Sequence, residues 1–86
     1  MQLYYHKRFK KQYQKLTPQL QQKVEKAIQH FKSNPFDPRF RNHALMGDSR
    51  GLRAISVTGD IRIVFEEFNN YQEVKLLRVG THSQVY

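Results

Sequence analysis

The stretch Leu52 to Phe65, LRAISVTGDIRIVF, constrains this chain more than any other. Two runs rich in Ile, Val and Phe flank Thr58-Gly59, and Asp60 follows directly. That pattern reads as a β-hairpin. If Thr58 and Gly59 form a two-residue loop, Val57 stands opposite Asp60, Ile55 opposite Arg62, and Arg53 opposite Val64. Side chains alternate along a strand, so this register gives two faces. Leu52, Ala54, Ser56, Ile61, Ile63 and Phe65 make a core face. Arg53, Ile55, Val57, Asp60, Arg62, Val64 and Glu66 make a mixed face, with cations among apolar residues, as a floor for an anionic ligand would have.

The rest of the chain is placed around this hairpin. Met1 to His6 reads as a short first strand with Leu3 and Tyr5 on one side. Phe9, Tyr13 and Leu16 then fall at i, i+4 and i+7 on one face of a helix, and Lys7, Arg8, Lys10, Lys11 and Lys15 cover much of the remainder. That basic surface suits a nucleic acid, an acidic docking partner, or simple solvation. Thr17-Pro18 is an N-cap followed by a first-turn proline. The second helix runs to about Lys32, with Leu20, Val24, Ala27, Ile28 and Phe31 as its apolar stripe. Pro35 ends it, because the residue before a proline avoids the α region. The segment from Asn34 to Arg50 is irregular and concentrates Arg39, Arg41, His43 and Arg50. Phe36, Phe40, Leu45 and Met46 anchor it. Asn69-Asn70 marks the next turn, Gln72 to Val79 is the last strand, and Thr81 to Tyr86 is a short tail. A two-residue loop at Asn69-Asn70 sends Arg78 to the core side. A three-residue loop including Tyr71 puts Arg78 directly opposite Arg62. Two adjacent cations repel, so the second pairing makes sense mainly where an anion binds. The order β-α-α-β-β-β argues for an α+β domain, two helices on one face of an antiparallel sheet.

The chain's 86 residues allow one domain, residues 1–86, with one modest core. No apolar run approaches the ~18 residues of a membrane span. There are no cysteines, hence no disulfide and no thiolate metal site, and a cytoplasmic location is permitted. The formal charge of +8 points to a polyanion or an acidic protein as partner.

Four histidines are present. His6 and His30 read as exposed members of basic helical surface. His43 precedes the hairpin and His82 follows the last strand. Neither pair has zinc-ligand spacing, and no carboxylate cluster supports a metal, so no metal or other cofactor is expected. RNA cleavage by the adjacent 2′-hydroxyl needs none. It needs a base at that hydroxyl, an acid at the leaving 5′-oxygen, and cations around the phosphorane. Imidazole titrates near neutrality and serves as either acid or base. Arginine holds two phosphoryl oxygens and stays charged. His43, Asp60, Arg62, Arg78, His82 and Tyr86 could supply such a set. On spacing alone, scattered residues of a basic surface are the more ordinary reading.

The segments His43-Ala-Leu-Met-Gly47, Gly51-Leu-Arg53, Gly59-Asp60-Ile-Arg62-Ile-Val-Phe65 and Val79-Gly-Thr-His82-Ser-Gln-Val-Tyr86 resemble the RelE/ParE superfamily of type II toxins. The likeness is closest to the RelE and YafQ-like messenger-RNA interferases and covers nearly the whole chain. It implies a toxin that enters the ribosomal A site on the 30S subunit and cuts messenger RNA there. It also implies a cognate antitoxin, with a toxin–antitoxin complex able to bind operator DNA. By this resemblance His82 is the general acid or base, and Tyr86 stacks on a base or orients the phosphate. Arg62 stabilises the transition state. Arg78, His43 and Asp60 match further site positions. Arg53 falls where RelE has a lysine and contacts phosphate, alongside Arg50, Arg41 and Arg39 as RNA-binding residues. Ser56 stands where YafQ-like toxins have another histidine, and Ile61 where they have tryptophan. The basic RelE tail is shortened and no final helix is expected. Two other functions fit the same superfamily: a ParE-like gyrase inhibitor, and a silent relative that binds only its antitoxin and operator.

Overall fold

A computed structural model describes residues 1–86 throughout. Strand β1 (Gln2–Tyr5) leads into helix α1 (Lys7–Gln14) and helix α2 (Pro18–Ser33). A 3-10 turn (Pro38–Phe40), the two-residue strand β2 (His43–Ala44) and a second 3-10 turn (Gly47–Ser49) follow. Then come β3 (Arg53–Ser56), β4 (Ile61–Phe68), β5 (Glu73–Thr81) and the one-turn helix α3 (His82–Val85). This is the expected α+β domain, with two additions. The sequence reading had neither the edge strand β2 nor α3, which is too short to show any apolar period.

The helix signals act as written. The Thr17 hydroxyl accepts the Leu20 N–H at 3.2 Å, and Pro18 opens α2. His6 is exposed, but it has a structural duty: its Nδ1 accepts the Arg8 N–H at 3.0 Å and caps α1. The two helices are tied together by Tyr13. Its hydroxyl donates to Glu25 at 2.7 Å, and its carbonyl accepts from the Gln21 side chain at 3.0 Å. Phe9, Val24, Ile28 and Phe31 are buried against the sheet. Both helices thus cover one face of it.

The strand order is β1-β5-β4-β3-β2. The sheet is mixed, because β1 runs parallel to β5 while the other neighbours are antiparallel. An entirely antiparallel sheet was expected. A parallel pair only needs a long connection, and here the whole intervening chain provides it.

The β3–β4 hairpin differs from the expected register by one residue. Arg53 pairs with Phe65, Ala54 with Val64, Ile55 with Ile63 and Ser56 with Arg62. The loop is Thr58-Gly59-Asp60, closed by the Val57 N–H to the Ile61 carbonyl at 2.8 Å. A two-residue hairpin turn demands positive φ at its first loop residue, and none of these three residues has it. Instead the Thr58 hydroxyl accepts the N–H groups of Asp60 and Ile61, at 3.2 and 3.0 Å. Such a local side-chain turn is what threonine offers. One residue of slip turns β3 over. Ile55 and Val57 therefore join Ile61, Ile63 and Phe65 under the helices. Leu52 and Ala54 join Val64 on the opposite face, in a small cluster with Leu45 and Val85.

The β4–β5 turn is longer than either alternative. Phe68 pairs with Glu73, so four residues form the loop, and Asn69, Asn70 and Tyr71 all have positive φ. Tyr71 is an unusual residue for that conformation. Its ring packs near Phe31, Phe36 and Phe65, and its hydroxyl accepts from Asn42 at 3.1 Å. A bulge then leaves Leu77 without a partner, and beyond it Val64 faces Arg78 while Arg62 faces Gly80. Arg78 is neither on the helix side nor directly opposite Arg62. It lies on the same face as Arg62, one strand pair along.

Candidate active site

Because residues paired across strands share a face, the register defines two rows on the sheet side away from the helices. His43, Ala54, Val64 and Arg78 form one. Ser56, Arg62 and Gly80 form the other. Val64 and Ala54 are fully buried beneath Val85. The cations and the histidine surround that apolar plug.

Helix α3 brings His82 and Tyr86 to this face. Four residues do not hold a helix by themselves, and the turn is fixed by contacts at each end. Gln84 Oε1 accepts the Thr81 N–H at 2.8 Å and completes a capping box with the Thr81 side chain. Arg78 Nη1 donates to the Val85 carbonyl, 2.6 Å away. Val85 is buried in the small cluster. The Tyr86 N–H donates to the His82 carbonyl at 3.1 Å, and the two rings meet edge to face, centroids 4.4 Å apart. The Thr81-x-x-Gln84 spacing was visible in the sequence as a capping-box signature, although the segment read there as a tail without a helix.

Arg62 is docked at the hairpin loop. Its Nη1 donates to the carbonyls of Thr58 and Ile61, at 2.8 and 3.1 Å. Nε and Nη2 keep their N–H groups free of these bonds, in the fork that suits a phosphoryl group. Partial burial raises the Tyr86 hydroxyl above its usual pKa, and the charge of Arg62 pulls the other way. Arg62 and Tyr86 are thus within electrostatic reach, and the phenol stays protonated at neutral pH. His43 is exposed on the edge strand, and its Nδ1 donates to the Arg41 carbonyl at 2.8 Å. In the neutral ring this leaves the lone pair on Nε2, facing outward as a proton acceptor.

The remaining candidates separate. Asp60 sits exposed at the hairpin tip, where only its backbone is bonded to Thr58. Arg41, itself in a left-handed conformation, lines an open cleft of about 230 Å³ with Arg39, Ser56 and Arg62. Arg50 is exposed beyond the second 3-10 turn. Arg53 pairs with Phe65 on the helix side, where its Nε donates to Asn42 at 2.8 Å. The register slip is the physical reason that it leaves the face of Arg62. His30 is not a free surface residue either. Its Nε2 lies 2.7 Å from Asp37, and its ring packs on Phe40. Hydrogen bonds from Arg39 and His30 hold the Asp37 carboxyl well below the usual carboxylate range. Ser56, expected on the core face, lies directly across from Arg62 on the opposite one. No three His, Asp or Glu side chains converge as metal ligands.

The family model described as a bacterial toxin of type II toxin–antitoxin system, YafQ, matches residues 1–86. The chain belongs to this family. It is a type II toxin of the RelE/YafQ-like kind. No curated protein matches it. Among solved structures, YafQ from E. coli strain BL21(DE3) superposes with a TM-score of 0.83 at 17% identity, covering 98% of this chain and 96% of that one. The E. coli DinJ–YafQ toxin–antitoxin complex gives 0.80 at 17% identity, covering 98% and 94%. The conserved hypothetical protein HP0894 from Helicobacter pylori gives 0.77 at 26% identity, covering 100% and 99%. These likenesses support the fold derived above. No helix of the chain is long and apolar enough to cross a membrane.

Proposed function

We propose that this YafQ-family toxin is a ribosome-dependent endoribonuclease that cleaves messenger RNA in the A site, working in the cytoplasm. The observation that carries the reading is one face of the sheet bearing His43, Arg62, Arg78, His82 and Tyr86, on a chain of charge +8. In the reaction a base takes the proton from a 2′-hydroxyl, the 2′-oxygen bonds to the adjacent phosphorus, and the bond to the 5′-oxygen breaks. An acid protonates that oxygen, leaving a 2′,3′-cyclic phosphate and a 5′-hydroxyl. His82 and His43 are the proton-exchanging groups on this face. Arg62, with its free N–H groups, holds the phosphoryl oxygens as charge develops. Tyr86 meets His82 edge to face and offers a ring to a base. Arg78 acts on a different level, since its guanidinium fastens α3.

The partner set follows from the same reading. A cognate antitoxin neutralises the toxin, as family membership and the complex of the E. coli relative with DinJ support. The toxin–antitoxin pair binds operator DNA. The purified chain, incubated with translating ribosomes, is expected to cut within A-site codons and leave cyclic-phosphate ends. Intact messenger RNA alongside inhibited gyrase supercoiling would replace this reading with a ParE-like one.

A further inference from the structure

A second basic cleft lies on the other side of the hairpin, and nothing in the catalytic reading uses it. It measures about 280 Å³ and is walled by Lys23, Lys26 and His30 of α2, with Arg39, Ser56 and Val57 opposite. Arg39, Ser56 and Val57 also line the cleft that holds Arg41 and Arg62. The two clefts are therefore neighbours sharing one wall. Together they make a track from α2, around the edge of the hairpin, to the face of His82.

Lys23, Lys26, Arg41 and Arg62 have no counter-ion along this track. No Asp or Glu lines either cleft. The nearby Asp37 is already taken by His30 and Arg39, at 2.7 and 3.0 Å. Glu25, the one acidic residue of α2, points its carboxylate to Tyr13 of α1. Lys23 and Lys26 are exposed and three residues apart, hence neighbours on one helix face. Like charges so placed destabilise a helix. An anion in the cleft removes that repulsion. The openness of the path and its turn around the sheet edge suit a flexible strand, with phosphates spaced along the cations.

We propose that the RNA strand engaged at Arg62 continues along this track, and that Lys23 and Lys26 bind its backbone phosphates away from the scissile one. The proposal rests on the endoribonuclease reading but is tested without cleavage. The probe is a short single-stranded 2′-O-methyl oligoribonucleotide, whose blocked nucleophile prevents reaction. Binding is measured against salt concentration for the wild type, for Lys23→Ala/Lys26→Ala, and for Lys7→Ala/Lys11→Ala on α1 as a control of equal charge. Each neutralised phosphate adds about 0.7 to the slope of log K against log salt for a single strand. The α2 double variant should lose about 1.4 from that slope, roughly 25-fold in affinity at about 0.1 M salt relative to 1 M. The control should retain the wild-type slope.

An unchanged slope in the α2 variant overturns the proposal, as does an equal loss in the control. Weakened ribosome binding with unchanged oligonucleotide binding also overturns it, because the lysines would then serve ribosomal RNA. If the oligonucleotide depends on Lys23 and Lys26 while ordinary messenger RNA stays uncut on ribosomes, the track stands and the cleavage reading falls.

Discussion

Replacing Gly80 with alanine should weaken the site while sparing the fold. A Cβ at Gly80 would lie 2.5 Å from Gln84 Oε1 and 3.2 Å from Gln84 Cβ. The Gln84 side chain is flexible and can swing away, but doing so breaks its bond to the Thr81 N–H. An N-terminal cap is worth about 1 kcal/mol. A loss of that size lowers the equilibrium constant for docking α3 about fivefold, since 1.4 kcal/mol is a factor of ten. His82 and Tyr86 ride on that turn, so cleavage should fall, by up to about fivefold. Global stability should barely move, because Gly→Ala also restricts the unfolded chain, by about 0.4–1 kcal/mol. The assay is messenger-RNA cleavage on ribosomes, run beside a thermal melt and the NMR signals of the His82 ring. Gln84→Ala should reproduce the effect. The double variant should be no worse than either single one, because both remove the same bond. Full activity with unshifted His82 signals, or losses that simply add, would refute the reasoning.

Other consequences concern single residues. Val85→Ala should destabilise by about 1.5 kcal/mol, from two methyl-sized groups removed from a buried site, with a lowered midpoint in urea as the check. Arg53→Ala should lower thermal stability while leaving cleavage rate at saturating RNA close to wild type, since Arg53 serves Asn42 on the helix side. Asp37 has its carboxyl pKa lowered by Arg39 and His30. Its stabilising effect is therefore present above the unfolded value near pH ~4 and fades as pH falls through the folded value. Melts of Asp37→Asn and wild type should differ at neutral pH and converge in strong acid. Tyr13, pushed up to about 12 mainly by its bond to Glu25, acts at the other extreme. Its neutral form is favoured in the fold, so its contribution holds below pH ~10 and is lost above, a trend that Tyr13→Phe should abolish.

Legibility in the sequence followed the range of the interactions. Thr17-Pro18 and the stripe through Val24, Ile28 and Phe31 are local, and both helices formed where the pattern put them. The hairpin's existence was equally plain, but its register was not. That depended on whether Thr58 would accept backbone N–H groups in place of a glycine turn, a choice between two local geometries one residue apart. The outcome moved Arg53 off the face of Arg62 and put Ser56 there. The bulge at Leu77 is a further such choice, and it returned Arg78 to that face. His82, Arg62 and Tyr86 became candidates through the resemblance to related toxins. The reason they converge, a single turn locked by Gln84, Arg78 and Val85, emerges only in three dimensions. The pairing of β1 with β5 is likewise a contact between chain ends that no local pattern encodes.

The central claim is that His82 and Arg62 on the sheet face cut messenger RNA. Primer extension on messenger RNA from translating ribosomes tests it most directly, with wild type beside His82→Ala and Arg62→Ala. The expected result is discrete cuts within A-site codons in the wild type, strongly reduced in both variants while their melts stay native-like. Cuts that persist undiminished in the variants, or no cuts from well-folded wild type, would contradict it.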